Sequence, residues 1–306
     1  QTSGFLIKYL TYYNATNTTK VLKAMQWTSS SSGYMPLATA TAYVGPIAVV
    51  GYRWEDRLRT LAVNGSEGTA TADAGTAVMY SGVDVGGGGD VAQTVLAHPT
   101  SPQLYGYGFS VAIVELQEGV VYHIAIGTVP NSGDGVVHMY RVVAGGGGGG
   151  GGWGSPVVTL LSTLPAPWGW GTYISSLAAR GATTGGRAAA LVVGTHLDSR
   201  CGVTATWPDT CTQSGSAHVY TVNSSGAWQW NGTLKARVVK NNAYCGTSVA
   251  VAGDVVVVGC DCDTSLSTAV DTGETLVTGS DVGAAHAWRL NATNASTSVR
   301  EGYLKA

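Results

Sequence analysis

Charge is what this 306-residue chain has least of: only 11% of its residues are charged, and the formal net charge is −2. With no stripe of lysine or arginine, a nucleic-acid groove is excluded, because phosphate neutralisation needs clustered cations. Phenylalanine occurs only twice and methionine four times. No apolar run approaches the roughly 18 residues that cross a bilayer, so membrane insertion is not expected. No nucleophile motif, Ser/His/Asp arrangement or nucleotide-binding glycine signature stands out, and neither an enzyme nor a bound cofactor is expected. The glycine run from Gly145 to Gly152 lacks the Lys-Ser/Thr of a phosphate loop. It reads as a flexible linker, or alternatively as a segment that packs closely on a neighbour or a glycan. An initiator methionine and a signal segment are also missing, and Gln1 is a residue type that commonly cyclises after signal cleavage, so a processed chain is expected.

What is present is glycine, at 44 residues, together with short runs of Val, Ala, Leu and Tyr, a composition that suits strands and turns. Five times a glycine is followed five residues later by an aromatic: Gly4/Tyr9, Gly75/Tyr80, Gly135/Tyr140, Gly215/Tyr220 and Gly283/Trp288. The intervals of 71, 60, 80 and 68 residues mark a repeat. Each unit holds four strand-like runs, a to d. Strand b recurs as short apolar runs ending at Gly51, Gly127, Gly194 and Gly259, and its continuous apolar character predicts burial on both faces. Strand c carries the glycine-to-aromatic signal, and strand d recurs as VLKA, TVLA, TLLS, TLKA and YLKA. The expected fold is all-β: a propeller-like array of four four-stranded blades at 28–98, 99–163, 164–237 and 238–306. It is preceded by an N-terminal half-blade, a c–d hairpin in 1–27 whose strands fall at 4–10 and 20–26.

The runs GFSVA (108–112) before IAIG, and GTSVA (246–250) before VVVVG, resemble the FG-GAP repeats of integrin-α-type β-propellers. That resemblance implies radial blades with strand a lining the axis. The family's calcium loops lie between strands a and b, where this chain has the two-residue turn Gly253-Asp254 and a short Glu115–Glu118 connection, so its calcium sites are not carried over.

Seven Asn-x-Ser/Thr sequons, at Asn14, Asn17, Asn64, Asn223, Asn231, Asn291 and Asn294, point to a secreted, N-glycosylated protein. The c–d connections hold either sequons or glycine runs, including Gly86 to Gly89. On the opposite face the b–c loops are long at 52–74, 195–214 and 260–282 and short at 128–134, and long loops on a rigid scaffold commonly carry recognition.

Five cysteines leave at least one unpaired within the chain. Counting outward from a two-residue turn at Gly253-Asp254 sets Cys245 opposite Cys262, which predicts that disulfide and leaves Cys260 over. A bulge would give Cys245–Cys260 instead. Cys201 and Cys211 form the natural second pair, closing a b–c loop.

His138, His218 and His286 occupy one position in three repeats; in a propeller such positions sit on separate blades, so they read as structural. Asp261 and Asp263 read as a solvated turn ahead of a calcium site. Trp153, Trp168, Trp170, Trp228 and Trp230 lie near strand d, as edge packing or as a surface that stacks on sugars. The orphaned hairpin, whose strand edges seek partners, makes a non-enzymatic subunit of an extracellular fibre, sheath or matrix the leading expectation, assembled by strand addition between copies. The alternatives are an adhesion propeller that binds through its b–c loops and a propeller enzyme acting on polysaccharide.

Overall fold

The computed structural model describes residues 11–13, 19–21, 39–53, 75–82, 92–96, 106–129, 135–145, 154–165, 173–183, 187–201, 211–223, 225–263, 283–291 and 299–305. The chain divides into two units, Gln1–Leu37 and Ala38–Ala306. In the first, β1 (Thr11–Tyr13) and β2 (Thr19–Val21) form an antiparallel hairpin with Thr11 opposite Val21. The expected strand at 4–10 lies outside the described residues, as does the expected strand at 20–26 beyond Val21.

The second unit is a β-propeller of four four-stranded antiparallel blades, with no helix among the described residues. Blade 1 runs β3 (Ala40–Val44), β4 (Ile47–Tyr52), β5 (Thr76–Ser81) and β6 (Ala92–Leu96). Blade 2 runs β7 (Ser110–Gln117), β8 (Val121–Gly127), β9 (Val136–Gly145) and β10 (Gly154–Pro165). Blade 3 runs β11 (Ser176–Arg180), β12 (Ala190–Thr195), β13 (Ser216–Val222) and β14 (Trp228–Leu234). Blade 4 runs β15 (Cys245–Ala252), β16 (Val255–Cys260), β17 (Ala284–Arg289) and β18 (Val299–Lys305). Sequence order equals spatial order in every sheet, so each blade is a simple meander. The first strands lie side by side from blade to blade, β3 by β7, β7 by β11 and β11 by β15.

Strand alternation explains the core. Ile47, Val49 and Met79 of blade 1 pack on Ile113, Tyr122 and Ile124 of blade 2. Ala112, Ala125 and Met139 turn the other way, onto Leu191, Val193 and Tyr220 of blade 3. Val192 and Val219 then meet Val256, Val258 and Trp288 of blade 4. The aromatic of the repeat signal is thus an interblade residue: Tyr140, Tyr220 and Trp288 each sit in the cluster shared with the preceding blade. At roughly 25 cal/mol per Å² of apolar surface removed from water, these interfaces are the main source of cohesion between sheets.

Burial of strand b on both faces holds for β4 and β12, every residue of which is buried, and for all of β8 but its first residue. β16 differs. Val256, Val258 and Cys260 are buried while Val255, Val257 and Gly259 are half-exposed, because only the face toward blade 3 is covered.

The disulfide register is corrected by a bulge. From Ala252–Val255 to Ser248–Gly259 the pairing is regular, but then Cys245 falls opposite Cys260. Gly246 holds φ +93° with Ser216 O close by, and Cys245 N donates to Ser214 O, so the head of β15 leaves its own ladder to join blade 3. The disulfides are Cys201–Cys211 and Cys245–Cys260, and Cys262, not Cys260, takes part in neither.

Candidate functional site

The residue two places past each strand-b glycine lies where the chain leaves its blade at the b–c end. In the four repeats it is Arg53, Val129, His196 and Asp261. Beside it come residues at or just before the head of strand a: Phe109, Tyr173 and Tyr244. These two recurring positions build one strip across the blades. The Arg53 guanidinium sits 4.7 Å from the centre of the Phe109 ring. Its pKa is lowered by burial, and Tyr173 is near enough to act on its charge in the opposite sense. His196 stacks on Tyr173 at 6.0 Å with planes 16° apart, and the Tyr244 ring lies 6.1 Å from it, tilted by 47°. The Tyr244 hydroxyl donates to Gln213 Oε1 at 2.6 Å. Burial lowers the His196 pKa, against the pull of the Asp261 carboxylate, so the ring is neutral at pH 7.

Val129 is buried, and the other six side chains are half-buried or, for Asp261, exposed, a mixture of apolar rings and polar groups within reach of solvent. None was singled out for such a role at the sequence level except Asp261, as part of a turn. The available signal was the strand-b glycine itself, counted two residues further.

Below the strip the loop base is fixed by a buried ion network. Asp198 Oδ1 accepts from Arg200 Nε at 3.0 Å, and Oδ2 accepts from Arg200 Nη2 at 2.8 Å and Ser216 Oγ at 2.6 Å. Lys235 Nζ lies 3.6 Å away and donates to Gly215 O at 3.0 Å. Burial alone would raise the Asp198 pKa; the Arg200 hydrogen bonds and the Lys235 and Arg200 charges overcome it and hold the carboxyl well below its usual range. Burial brings Lys235 down to about 8 despite Asp198. Four residues past the strand-b glycine of blade 4, Asp263 repeats the arrangement, with Lys240 Nζ at 3.0 Å and His286 Nε2 at 3.9 Å. Asp261 is exposed but Asp263 is buried, so the solvated turn expected of the two carboxylates holds for Asp261 alone, because Asp263 is drawn inward by Lys240.

His138, His218 and His286 are buried on three different blades. The His218 ring spans Ser216 Oγ at 2.8 Å, Thr195 Oγ1 at 3.0 Å and Thr233 Oγ1 at 2.9 Å. Burial lowers its pKa to about 3 and that of His123 to about 4. As the pH falls below 6.5 the unfolded chain takes up these protons first, so stability is lost from pH 6.5 down towards 3. Thermal unfolding at pH 7 and pH 4.5 is expected to show a lower midpoint in acid, and His218→Gln should flatten that dependence.

The His286 ring nitrogen and the sulfurs of Cys245 and Cys260 lie within 4.8 Å of one another, but the two sulfurs are bonded to each other, which leaves the imidazole alone as a metal donor there. Trp228 Nε1 donates to His123 Nδ1 at 2.9 Å, so this indole joins blade 3 to blade 2, whereas Trp230 is exposed. Trp153, Trp168 and Trp170 lie outside the described residues, as do most of the long b–c loops and the sequons Asn14, Asn17, Asn64 and Asn294. Asn223 closes a turn through Ser225 and Ala227, Asn231 lies on β14, and Asn291 is exposed after β17.

No protein-family model matches the chain, and no curated protein does, so membership of the FG-GAP family is not shown. Solved structures with a similar fold include Trypanosoma rangeli sialidase, at TM-score 0.42 and 9% identity over 98% of this chain. The same enzyme with 2,3-difluorosialic acid matches at TM-score 0.44 and 9% identity over 100% of this chain. Its complex with 2,3-difluoro-KDN matches at TM-score 0.40 and 10% identity over 99%. This chain spans 42%, 42% and 52% of those structures' own lengths. These neighbours correct the expectation of a non-enzymatic fibre subunit, since they are sialidases, and nothing found supports fibre assembly. No active site is transferred: at this identity and with TM-scores below 0.5 the likeness carries nothing further to this chain.

Proposed function

We propose that this chain is a module of a carbohydrate-acting propeller and holds sugar at the strip formed by Arg53, Phe109, Tyr173, His196, Tyr244 and Asp261. The observation that carries this reading is the strip itself: three aromatic rings and a neutral imidazole, half-buried and contributed by three blades, run between a cation and a carboxylate. Sugar rings present C–H faces that stack on aromatics and hydroxyl edges that hydrogen-bond to charged groups, and the strip offers both in alternation. The electrostatics fit, because an imidazole kept neutral at pH 7 accepts a hydrogen bond from a sugar hydroxyl and stacks without repelling Arg53.

The test is a panel of neutral and acidic oligosaccharides measured by calorimetry, with the same panel followed for release of new reducing ends. A member of the panel is expected to bind, and Tyr173→Ala is expected to weaken it about tenfold through loss of one stacking face. Binding unchanged in both Tyr173→Ala and Phe109→Ala, or no binding across the panel, would remove the strip as a sugar site.

A further inference from the structure

The three interblade junctions share one construction. Opposite each strand-b glycine, or one residue before that point, a hydroxyl of one blade reaches the backbone carbonyl at the head of strand a in the next. Thr39 Oγ1 donates to Gly108 O at 3.0 Å, Ser110 Oγ to Ile174 O at 3.3 Å, and Ser176 Oγ to Gly246 O at 2.8 Å. The glycine leaves room for that approach. A Cβ on Gly51 would stand 2.0 Å from Gly108 O, one on Gly127 2.7 Å from Ile174 Cγ2, and one on Gly194 2.1 Å from Gly246 O. At the start of strand c, a Cβ on Gly75 would meet Tyr107 O at 2.2 Å, and one on Gly215 would meet Cys245 O at 2.0 Å. Those last pairs are also backbone bridges between blades.

Blade 4 carries every one of these parts. Gly259 is the next-to-last residue of β16 with Ser248 opposite, and Gly283 precedes β17 at φ +72°. What differs is the neighbour. The atoms nearest a Cβ on Gly259 belong to Ser248 of the same blade, and those nearest one on Gly283 are the Asp261 and Cys260 carbonyls, also of the same blade. The rest of the face follows suit. Ala250, Val257 and Ala287 lie side by side in register, as do Ala178, Val192 and Val219 in blade 3 and Ala112, Ala125 and Met139 in blade 2. Val192, Val219, Ala112, Ala125 and Met139 are buried; Ala250 is exposed, and Val257 and Ala287 are half-exposed.

We infer that this face of blade 4 is an interaction surface, and that the partner it fits is a further four-stranded blade of the same repeat. That blade would present the backbone carbonyl at the head of its first strand to Ser248 Oγ and the Gly259 notch, and the opening of its first strand to Gly283. The occupant follows from continuity with three interfaces already built to this pattern. A second copy of this chain is a poorer fit, because the matching surface of its blade 1, formed by Val50, Val78, Tyr80 and Val95, is already buried. The surface is small-residue and apolar, which suits close sheet-on-sheet packing and not a charged ligand.

The test uses the whole chain and, as probe, the same chain with residues 238–306 duplicated at its C-terminus. Ala250→Cys in the first copy of blade 4 is labelled with a maleimide under native conditions, with the background from the wild-type chain subtracted. Labelling is expected to slow by about tenfold or more in the extended chain, as sheet opening becomes necessary for access. Ser248→Ala and, separately, Val257→Asp placed in the first copy should restore the fast rate. Equal rates in the extended and unextended chains overturn the proposal. So does a rate in the unextended chain that falls as its concentration is raised, which would make a second copy the occupant.

Discussion

Gly215→Ala is expected to cost about 4 kcal/mol or more, near the upper end for a single substitution. The residue sits at φ +76°, and a Cβ there would stand 2.0 Å from Cys245 O and 2.3 Å from Cys245 N. Both atoms belong to backbone, so no side-chain rotation relieves the overlap, and the head of β15 must withdraw. That withdrawal breaks the Gly215–Cys245 bridge and strains the segment holding the Cys245–Cys260 disulfide. A control separates close approach from backbone conformation. Gly119 and Gly226 have φ of +65° and +81° with nothing within 4 Å of an added Cβ. Gly119→Ala and Gly226→Ala should therefore cost only the left-handed penalty of about 1–2 kcal/mol. Urea midpoints of the three variants test the ordering; a Gly215→Ala midpoint equal to that of Gly226→Ala would mean the interblade bridge carries no weight.

That same glycine is where the sequence was most legible. The interval from Gly215 to Tyr220 marks two interblade contacts of one strand: the glycine at its start admits the next blade, and the aromatic packs on the previous one. The bridge recurs at Gly75 and the interblade aromatic at Tyr140 and Trp288, so the signal survives as a pattern even where few other residues repeat. The Cys245 partner was less legible, because register counted from the Gly253-Asp254 turn assumes an unbroken ladder, and the bulge arises from Gly246 contacting blade 3, a tertiary cause. The strip was missed for a related reason. Arg53, His196 and Asp261 share a position but not a chemistry, so a search for like residues passes over them, and Phe109, Tyr173 and Tyr244 meet them only once adjacent blades are set side by side. The uncovered face of blade 4 was invisible for the opposite reason: its residues match the pattern of the covered faces, and only its surroundings differ.

Asp198→Ala is expected to destabilise the chain by about 3–5 kcal/mol, the range for removing one partner of a buried ion pair. The Arg200 and Lys235 side chains are 8% and 3% exposed, so neither cation can recover its hydration once the carboxylate is gone. The loss is local in origin. Asp198 O accepts from Gly215 N at 2.8 Å and from Ser214 Oγ at 3.0 Å, tying the start of the b–c loop to its end. The side chain holds Arg200 beside the Cys201–Cys211 disulfide. His196 lies two residues upstream, so the variant should also weaken sugar binding at the strip, and at 10 °C, where the folded state persists, that loss should remain measurable. Adding Lys235→Met to Asp198→Ala removes one stranded cation and should recover part of the stability, whereas Lys235→Met alone leaves Asp198 paired with Arg200 and should cost less than either. A double-mutant cycle on these two positions by urea denaturation reads the coupling directly. Additive effects would show that Lys235, at 3.6 Å, contributes only through its hydrogen bond to Gly215 O and that Arg200 alone balances the buried carboxylate.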